Sequence, residues 1–472
     1  MGYNFGDQLL EEESGLVFFE MREVPMKPKQ PGRRRFLKGG AALVTMAVGG
    51  MQLANSQEAT EHEVVPATAV RPLGVLSPFE TSVRVGTAKE GFTPLQDLRG
   101  VITPAALHFY VNHEYGFISK INPKDYRLTI YGMVDRPLIF TLAELKRLPS
   151  VSRLHFLECL ENSNPNMVKN GKTAQGTHGL TSCAEWTGVL LSVLLKEAGV
   201  RKEASWILAG SADPSNHAIT LPMDKALDDT LVAYAQNGES LRLENGYPVR
   251  MVVPGWGGRI HAKWLNSIKA IDEPYMTTQD REANMAHSPA GEGAYFAFSE
   301  KGRNWQYEIY AKSIITCPSG SQRLPGPGFY EISGLAWSGS GKVLKVEVST
   351  DGGKAWNAAQ LQEPILPKAH TRFRFPWNWN GEEAVLQSRC TDELGQVQPS
   401  VEEVNKNWGV DESPACVNVL GELCNHVPRR ANRAYIMSWR VSRDGAVDNA
   451  FVAGTNPEDL MGTPGVVDQH RH

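Results

Sequence analysis

The segment HFLECLENSNP, residues 155–165, sets one thiol, Cys159, at the end of an apolar run and directly before a polar turn. A cysteine there has two chemistries open to it. As a free thiol it packs as a small buried hydrophobe, the usual outcome. As a thiolate it is a soft transition-metal ligand, deprotonated by coordination without an auxiliary base. The chain's cysteines stand at 159, 183, 317, 390, 416 and 424, too sparse for a disulfide scaffold and without any C-x-x-C pair. With no C-x-x-C-H either, the chain attaches no c-type haem, and any haem sits on a partner. Cys183, in LTSCAEW, is the rival thiol. Cys416 and Cys424 flank VNVLGEL closely enough to bridge in an oxidising compartment, the alternative being four unpaired cysteines beyond Cys183. His426 beside Cys424 adds only a weak metal reading. The other chemistry-bearing stretch is YPVRMVVPGWGGRIHAKWLNSIKAI. It is apolar and β-branched, then glycine-rich, then basic, as a strand leading into a ligand-contacting loop would be.

The elements that must position these residues are short. TLAELKRLP reads as a brief helix, with Thr141 and Glu144 spaced as a capping box and Pro149 forbidding continuation. TGVLLSVLLKEAGV reads as a fuller helix with Val189, Leu190, Val193 and Leu194 on its apolar face and Gly199 as its stop. From about residue 312 the texture becomes all-β. KVLKVEVSTDGGKAW alternates Leu344, Val346 and Val348 against Lys345 and Glu347, with Asp351-Gly352 as a hairpin turn. RFRFPWNWNG puts Phe373, Phe375, Trp377 and Trp379 on one side, while Pro376 argues for an edge or a bulge. Short strands with turn signals indicate a β-sandwich.

At 472 residues the chain is long enough for two or three domains. A net charge of −4 with interspersed signs offers no electrostatic footprint for nucleic acid. Arg33, Arg34 and Arg35 precede Phe36-Leu37-Lys38, a mildly apolar Gly/Ala stretch and a small-residue cleavage site at Ala54-Asn55-Ser56. That is a twin-arginine signal, with Gly32 where Ser or Thr is usual, and it predicts folded export to the periplasm by the twin-arginine translocase. The apolar run is shorter than the ~20 residues a membrane span requires. The acidic residues ahead of the arginines suggest a true start at Met21 or Met26. The expected division is a signal region at 1–56, a cofactor domain at 57–311, a β-domain at 312–455 and a flexible tail at 456–472.

With HFLE before Cys159, then QGTHGLTSCAEWTGV, then PVRMVVPGWGGRIHAKWL, the chain resembles the sulfite oxidase family of molybdopterin enzymes. The run from KSIITCPSG to ELGQVQP is similar to its sulfane dehydrogenase branch. The resemblance covers nearly all of residues 95–400. It implies an α+β fold: a mixed α/β molybdopterin domain followed by an immunoglobulin-like domain that forms a homodimer. It also implies a dihaem cytochrome c partner that accepts electrons. Cys159 stands at the family's molybdenum ligand and Cys183 at a non-ligand position near the site. Asn112, His113, Arg250, His261 and Lys263 match contacts to molybdopterin and its phosphate, an anion that calls for cations and amides on rigid loops. Singly, each is as readily a solvated cation or a satisfied core histidine.

Four positions depart from the family pattern. Val111 replaces an active-site arginine, Leu160 and Glu161 add bulk and charge after the metal cysteine, and Ala283 falls near the place of an active-site tyrosine. A shifted cation gives Arg259, which could still face the substrate as a catalytic residue. Each lost charge-assisted contact costs an anionic substrate about 1.5–3 kcal/mol. Two readings follow: an exported oxidoreductase transferring oxygen to sulfite or sulfane sulfur, and a degenerate relative serving as a scaffold. The export signal and the retained cofactor contacts favour the enzyme.

Overall fold

A pair of long antiparallel strands, Val151–Glu158 and Thr181–Leu190, carries the two candidate thiols in an unbroken register from Val151↔Gly188 to Glu158↔Thr181. The chain is described from a computed structural model at residues 77, 79–112, 118–213, 217–275, 308–400, 403 and 434–450. The signal region, His113, Ala283, Cys416, Cys424, His426 and the 456–472 tail lie outside the described residues.

Leu231–Gln236 pairs with the Thr181 strand and also with Glu239–Ser240 and Arg250–Val252, completing the first sheet. A second sheet runs Leu138–Thr141, Arg127–Gly132, Leu265–Ile271, Trp206–Ser211, Ala218–Pro222. Only its contact between Leu265–Ile271 and Arg127–Gly132 is parallel. Leu128, Ile130, Ile207, Ile268 and the helix residues Leu194 and Leu195 close a core over it.

The capping box is present in both halves: Glu144 N–H donates to Thr141 Oγ1 at 3.2 Å, and Thr141 N–H donates to Glu144 Oε2 at 2.8 Å. The second helix differs from expectation. Val189 and Leu190 finish a strand, paired with Val232 and Leu231, and the helix occupies only Leu191–Ala198. An apolar run of this kind serves either element, and here the pairing partner decides. Gly199 ends the helix in the left-handed region at φ 68°.

The C-terminal part is the expected sandwich. One sheet runs Lys312–Cys317, Gly328–Trp337, Thr371–Trp379, Gln360–Leu361; the other runs Asn357–Ala358, Val343–Ser349, Ala384–Asp392, Ser438–Val441, Val447–Asn449. Ile314, Leu335 and Phe373 from one sheet meet Val346, Leu386 and Trp439 from the other. A bulge between Val343 and Lys345 changes the expected alternation, burying Val343 and leaving Leu344 64% exposed. Pro376 lies opposite Glu331, beyond the reach of the short Gln360–Leu361 strand, so it meets a local edge.

The sandwich core extends into the first part of the chain. Phe156 and Cys183, register partners, join it, whereas Leu157 and Ala184 join a separate cluster with Trp186, Leu231 and Val252. Successive strand residues point to opposite faces. Phe156 and Glu158 therefore face the sandwich, and Leu157 and Cys159 face the other way.

Candidate metal and cofactor site

Cys159 closes its strand half-buried, with its N–H donating to Leu180 O at 2.9 Å and its carbonyl accepting from Asn162 N–H at 3.0 Å. Burial pushes the thiol up to about 12, against the Glu161 backbone N–H, which favours the thiolate. The free thiol is thus protonated and inert, the state a coordinating metal reverses. The glycine-rich loop rides directly over it. A Cβ on Gly258 would lie 3.0 Å from Cys159 Cα, and one on Gly257 would overlap the Leu160 side chain. Two missing Cβ atoms let the loop backbone just before Arg259 approach the cysteine. They also absorb the bulk of Leu160, which packs toward the sandwich-side core. Cys183 faces that same core, and its sulfur accepts the His370 N–H at 3.5 Å. It lies on the opposite sheet face from Cys159.

The cations gather on the thiol side of the sheet. Val111 and Cys159 both pack against the Trp186 cluster, and the Arg250 guanidinium lies 5.0 Å from the Trp186 ring. Arg250, 4% exposed, donates to Asn245 O at 3.0 Å and to His261 O at 3.5 Å, and burial pushes it down to about 9. Lys263 donates to Val111 O and Asn112 Oδ1, both at 2.8 Å, and to Glu244 O at 3.0 Å. Burial, then Arg250, pushes it down to about 7. Asn112, fully buried, is held by Lys89 O and Ala88 O. Among the described residues neither Arg250 nor Lys263 forms an ion pair, although the Glu244 carboxylate, paired with Arg84, and Asp213 both favour the charged form of Lys263.

His261 differs from its expected part. Val253 N–H donates to its Nδ1 at 3.0 Å and its Nε2–H donates to Trp256 O at 2.9 Å, so the ring staples the glycine-rich loop and presents no nitrogen to a ligand. Burial holds it neutral, down to about 3. The Arg259 carbonyl lies 3.3 Å from His217 Nε2, in the single turn Gly258–Ile260.

The sequence reading passed over His108 and Asn245. The His108 ring lies edge-on to Trp186 at 5.5 Å, and Asn245 Nδ2 lies 3.2 Å from its Nδ1. His108 Nε2, Asn245 Oδ1 and Arg250 Nε are buried without a hydrogen-bond partner among the described residues. The Asn245-Gly246 dipeptide reads as turn chemistry, which conceals a ligand contact. Buried polar atoms ordinarily find partners. Orphaned donors and acceptors beside two cations without carboxylates suit an anion with hydrogen-bonding ring edges, so these residues fit molybdopterin, with Cys159 as the thiolate for its metal.

Comparison with known proteins agrees. Residues 115–279 match the oxidoreductase molybdopterin-binding domain, and residues 303–411 match the Mo-co oxidoreductase dimerisation domain. The crystal structure of the sulfane dehydrogenase SoxCD from Paracoccus pantotrophus is 34% identical with a TM-score of 0.68, covering 84% of this chain and 95% of that one. NADH nitrate reductase of Ulva prolifera is 32% identical over 64% of this chain and 38% of its own length, and that of Solanum lycopersicum 32% over 64% and 36%. The chain thus spans less than two fifths of those curated relatives. It belongs to the sulfite oxidase family of molybdenum oxidoreductases, whose cofactor is molybdopterin.

Proposed function

We propose that the protein is exported to the periplasm, oxidises sulfite or sulfane-type sulfur by oxygen-atom transfer, and passes the electrons to a c-type cytochrome, working as a homodimer through its C-terminal domain. The observation that carries this is the pair of Arg250, buried, and Lys263, half-buried, which among the described residues form no ion pair and stand on the same apolar cluster as Cys159. Cys159 would hold the metal, Arg250 the phosphate with the charge of Lys263 behind it, and Asn245 and His108 the ring edges. When bound, molybdenum supplies two-electron oxygen-atom chemistry. Lys263 also clamps the Val111–Asn112 backbone against the glycine-rich loop, fixing one wall of the site. Arg259, carried over Cys159 by that loop, is the cation assigned to the substrate. Similarity to a sulfane dehydrogenase and the Arg33–Arg35 run support the substrate and the export route.

Metal and pterin analysis of the matured protein tests the reading. Stoichiometric molybdenum is expected, and Cys159→Ser loses turnover beyond the roughly 10–100-fold effect of an outer-shell change. Molybdenum-free protein after correct maturation means a scaffold instead. Assays with sulfite, a protein-bound sulfane and nitrate, using cytochrome c as acceptor, decide the substrate. Turnover of nitrate alone would move the assignment toward the nitrate reductases.

A further inference from the structure

Glu158, next to the metal cysteine, is 1% exposed. It points away from the cofactor side into the seam with the sandwich, as the alternation of the strand requires. There Oε1 accepts from Lys312 Nζ at 2.5 Å and from Asn162 Nδ2 at 3.0 Å, and Oε2 accepts from Trp337 Nε1 at 2.6 Å. Lys312, 2% exposed, and Trp337, fully buried, both belong to the C-terminal sandwich. Asn162 closes a ring around the cysteine. Its Oδ1 accepts from Leu180 N–H at 3.0 Å and its N–H donates to Cys159 O at 3.0 Å, while Cys159 N–H donates to Leu180 O at 2.9 Å. One carboxylate thus fixes the Asn162 side chain, whose oxygen in turn holds Leu180, and the backbones of Asn162 and Leu180 bind the two peptide groups of Cys159.

A buried ion pair is a poor way to gain stability, because apolar residues of similar volume do as well or better. Its value lies in geometry and field. We infer that Glu158 is a positioning residue for the Cys159 thiolate, through which Lys312 and Trp337 of the sandwich set the orientation and electrostatic environment of the metal ligand. The inference rests on Cys159 being that ligand. The carboxylate charge, one residue from the sulfur, favours the more oxidised metal, and its removal raises the reduction midpoint.

The test is Glu158→Gln in the cofactor-loaded full-length protein, read by molybdenum content, thermal unfolding, the Mo(V) paramagnetic spectrum and the metal midpoint. The expected variant is folded and metal-loaded, with a shifted Mo(V) spectrum, a higher midpoint, and kcat lowered about 10–100-fold at unchanged KM. A metal-loaded variant with wild-type spectrum and midpoint overturns the inference, even if its melting temperature falls. Should Glu158→Gln not fold, Trp337→Phe removes one hydrogen bond from Oε2 and leaves the ion pair. It is expected to give a smaller shift in the same spectrum, and an unchanged spectrum overturns the inference. Absence of molybdenum from the wild type, or an unchanged Mo(V) spectrum in Cys159→Ser, defeats the ligand assignment instead.

Discussion

Lys263, half-buried, and Lys312, buried, lie on opposite sides of the sheet whose first strand leads into Cys159, and their partners differ. Lys312 meets the Glu158 carboxylate at 2.5 Å and a serine hydroxyl at 3.1 Å, a closed arrangement. Lys263 meets only neutral oxygens, two backbone carbonyls and an amide, with the Arg250 charge nearby. Desolvating a cation is costly unless an anion accompanies it. The compensated lysine belongs to the architecture. The uncompensated one, with Arg250, awaits an anion from outside, and this marks one side of the sheet as the cofactor side.

The contrast is broken most directly at Lys312. Lys312→Met strands the Glu158 carboxylate in the seam, and denaturant unfolding of the cofactor-free protein should show a loss of about 3–5 kcal/mol. Arg250→Met should behave in the opposite sense. The cofactor-free protein loses little, because a desolvated charge goes with the side chain, whereas cofactor affinity falls by about 1.5–3 kcal/mol, read as occupancy after reconstitution. Equal stability losses in the two variants would erase the distinction.

The pH dependence sharpens it. Lys263 is held at about 7 in the fold against an ordinary value of 10.5, so the unfolded chain binds the extra proton between those limits. Stability therefore rises with pH across that window, by about 1.4 kcal/mol per unit, and is lost as pH falls toward 7. A bound phosphate returns Lys263 to its charged form. The rise is then expected in cofactor-free protein and absent from loaded protein, as measured by unfolding at pH 7 to 10. The smallest effect is a control remote from both lysines: Thr141→Ala removes the cap of the Leu142–Leu145 helix, costs about 1 kcal/mol, and leaves molybdenum content unchanged.

Much of this was legible in the chain. The capping box at Thr141, the glycine stop at Gly199, the strand-and-loop character of residues 247–271 and the sandwich texture after 312 depend on residues a few positions apart. Cys159, Arg250 and Lys263 were singled out through a resemblance carried by motifs, and the fold sets them on one side of a sheet. Partner choice was less legible. Val189 and Leu190 looked helical until Val232 and Leu231 claimed them for a sheet. Leu344 looked buried until a bulge turned it out. His261 looked like a ligand contact, and two backbone groups of its own loop occupy its ring.

Chain order by itself determined the alternation of FLEC, and with it that Glu158 and Cys159 must part to opposite faces, because the strand period is two. It could not say what either face meets. Lys312 stands 154 residues from Glu158 and Val111 stands 152 from Lys263, separations at which no local pattern carries information. Only the packed structure decided that the Lys312 ammonium finds a carboxylate and the Lys263 ammonium does not, since compensation of charge depends on which distant groups the fold brings within a hydrogen bond.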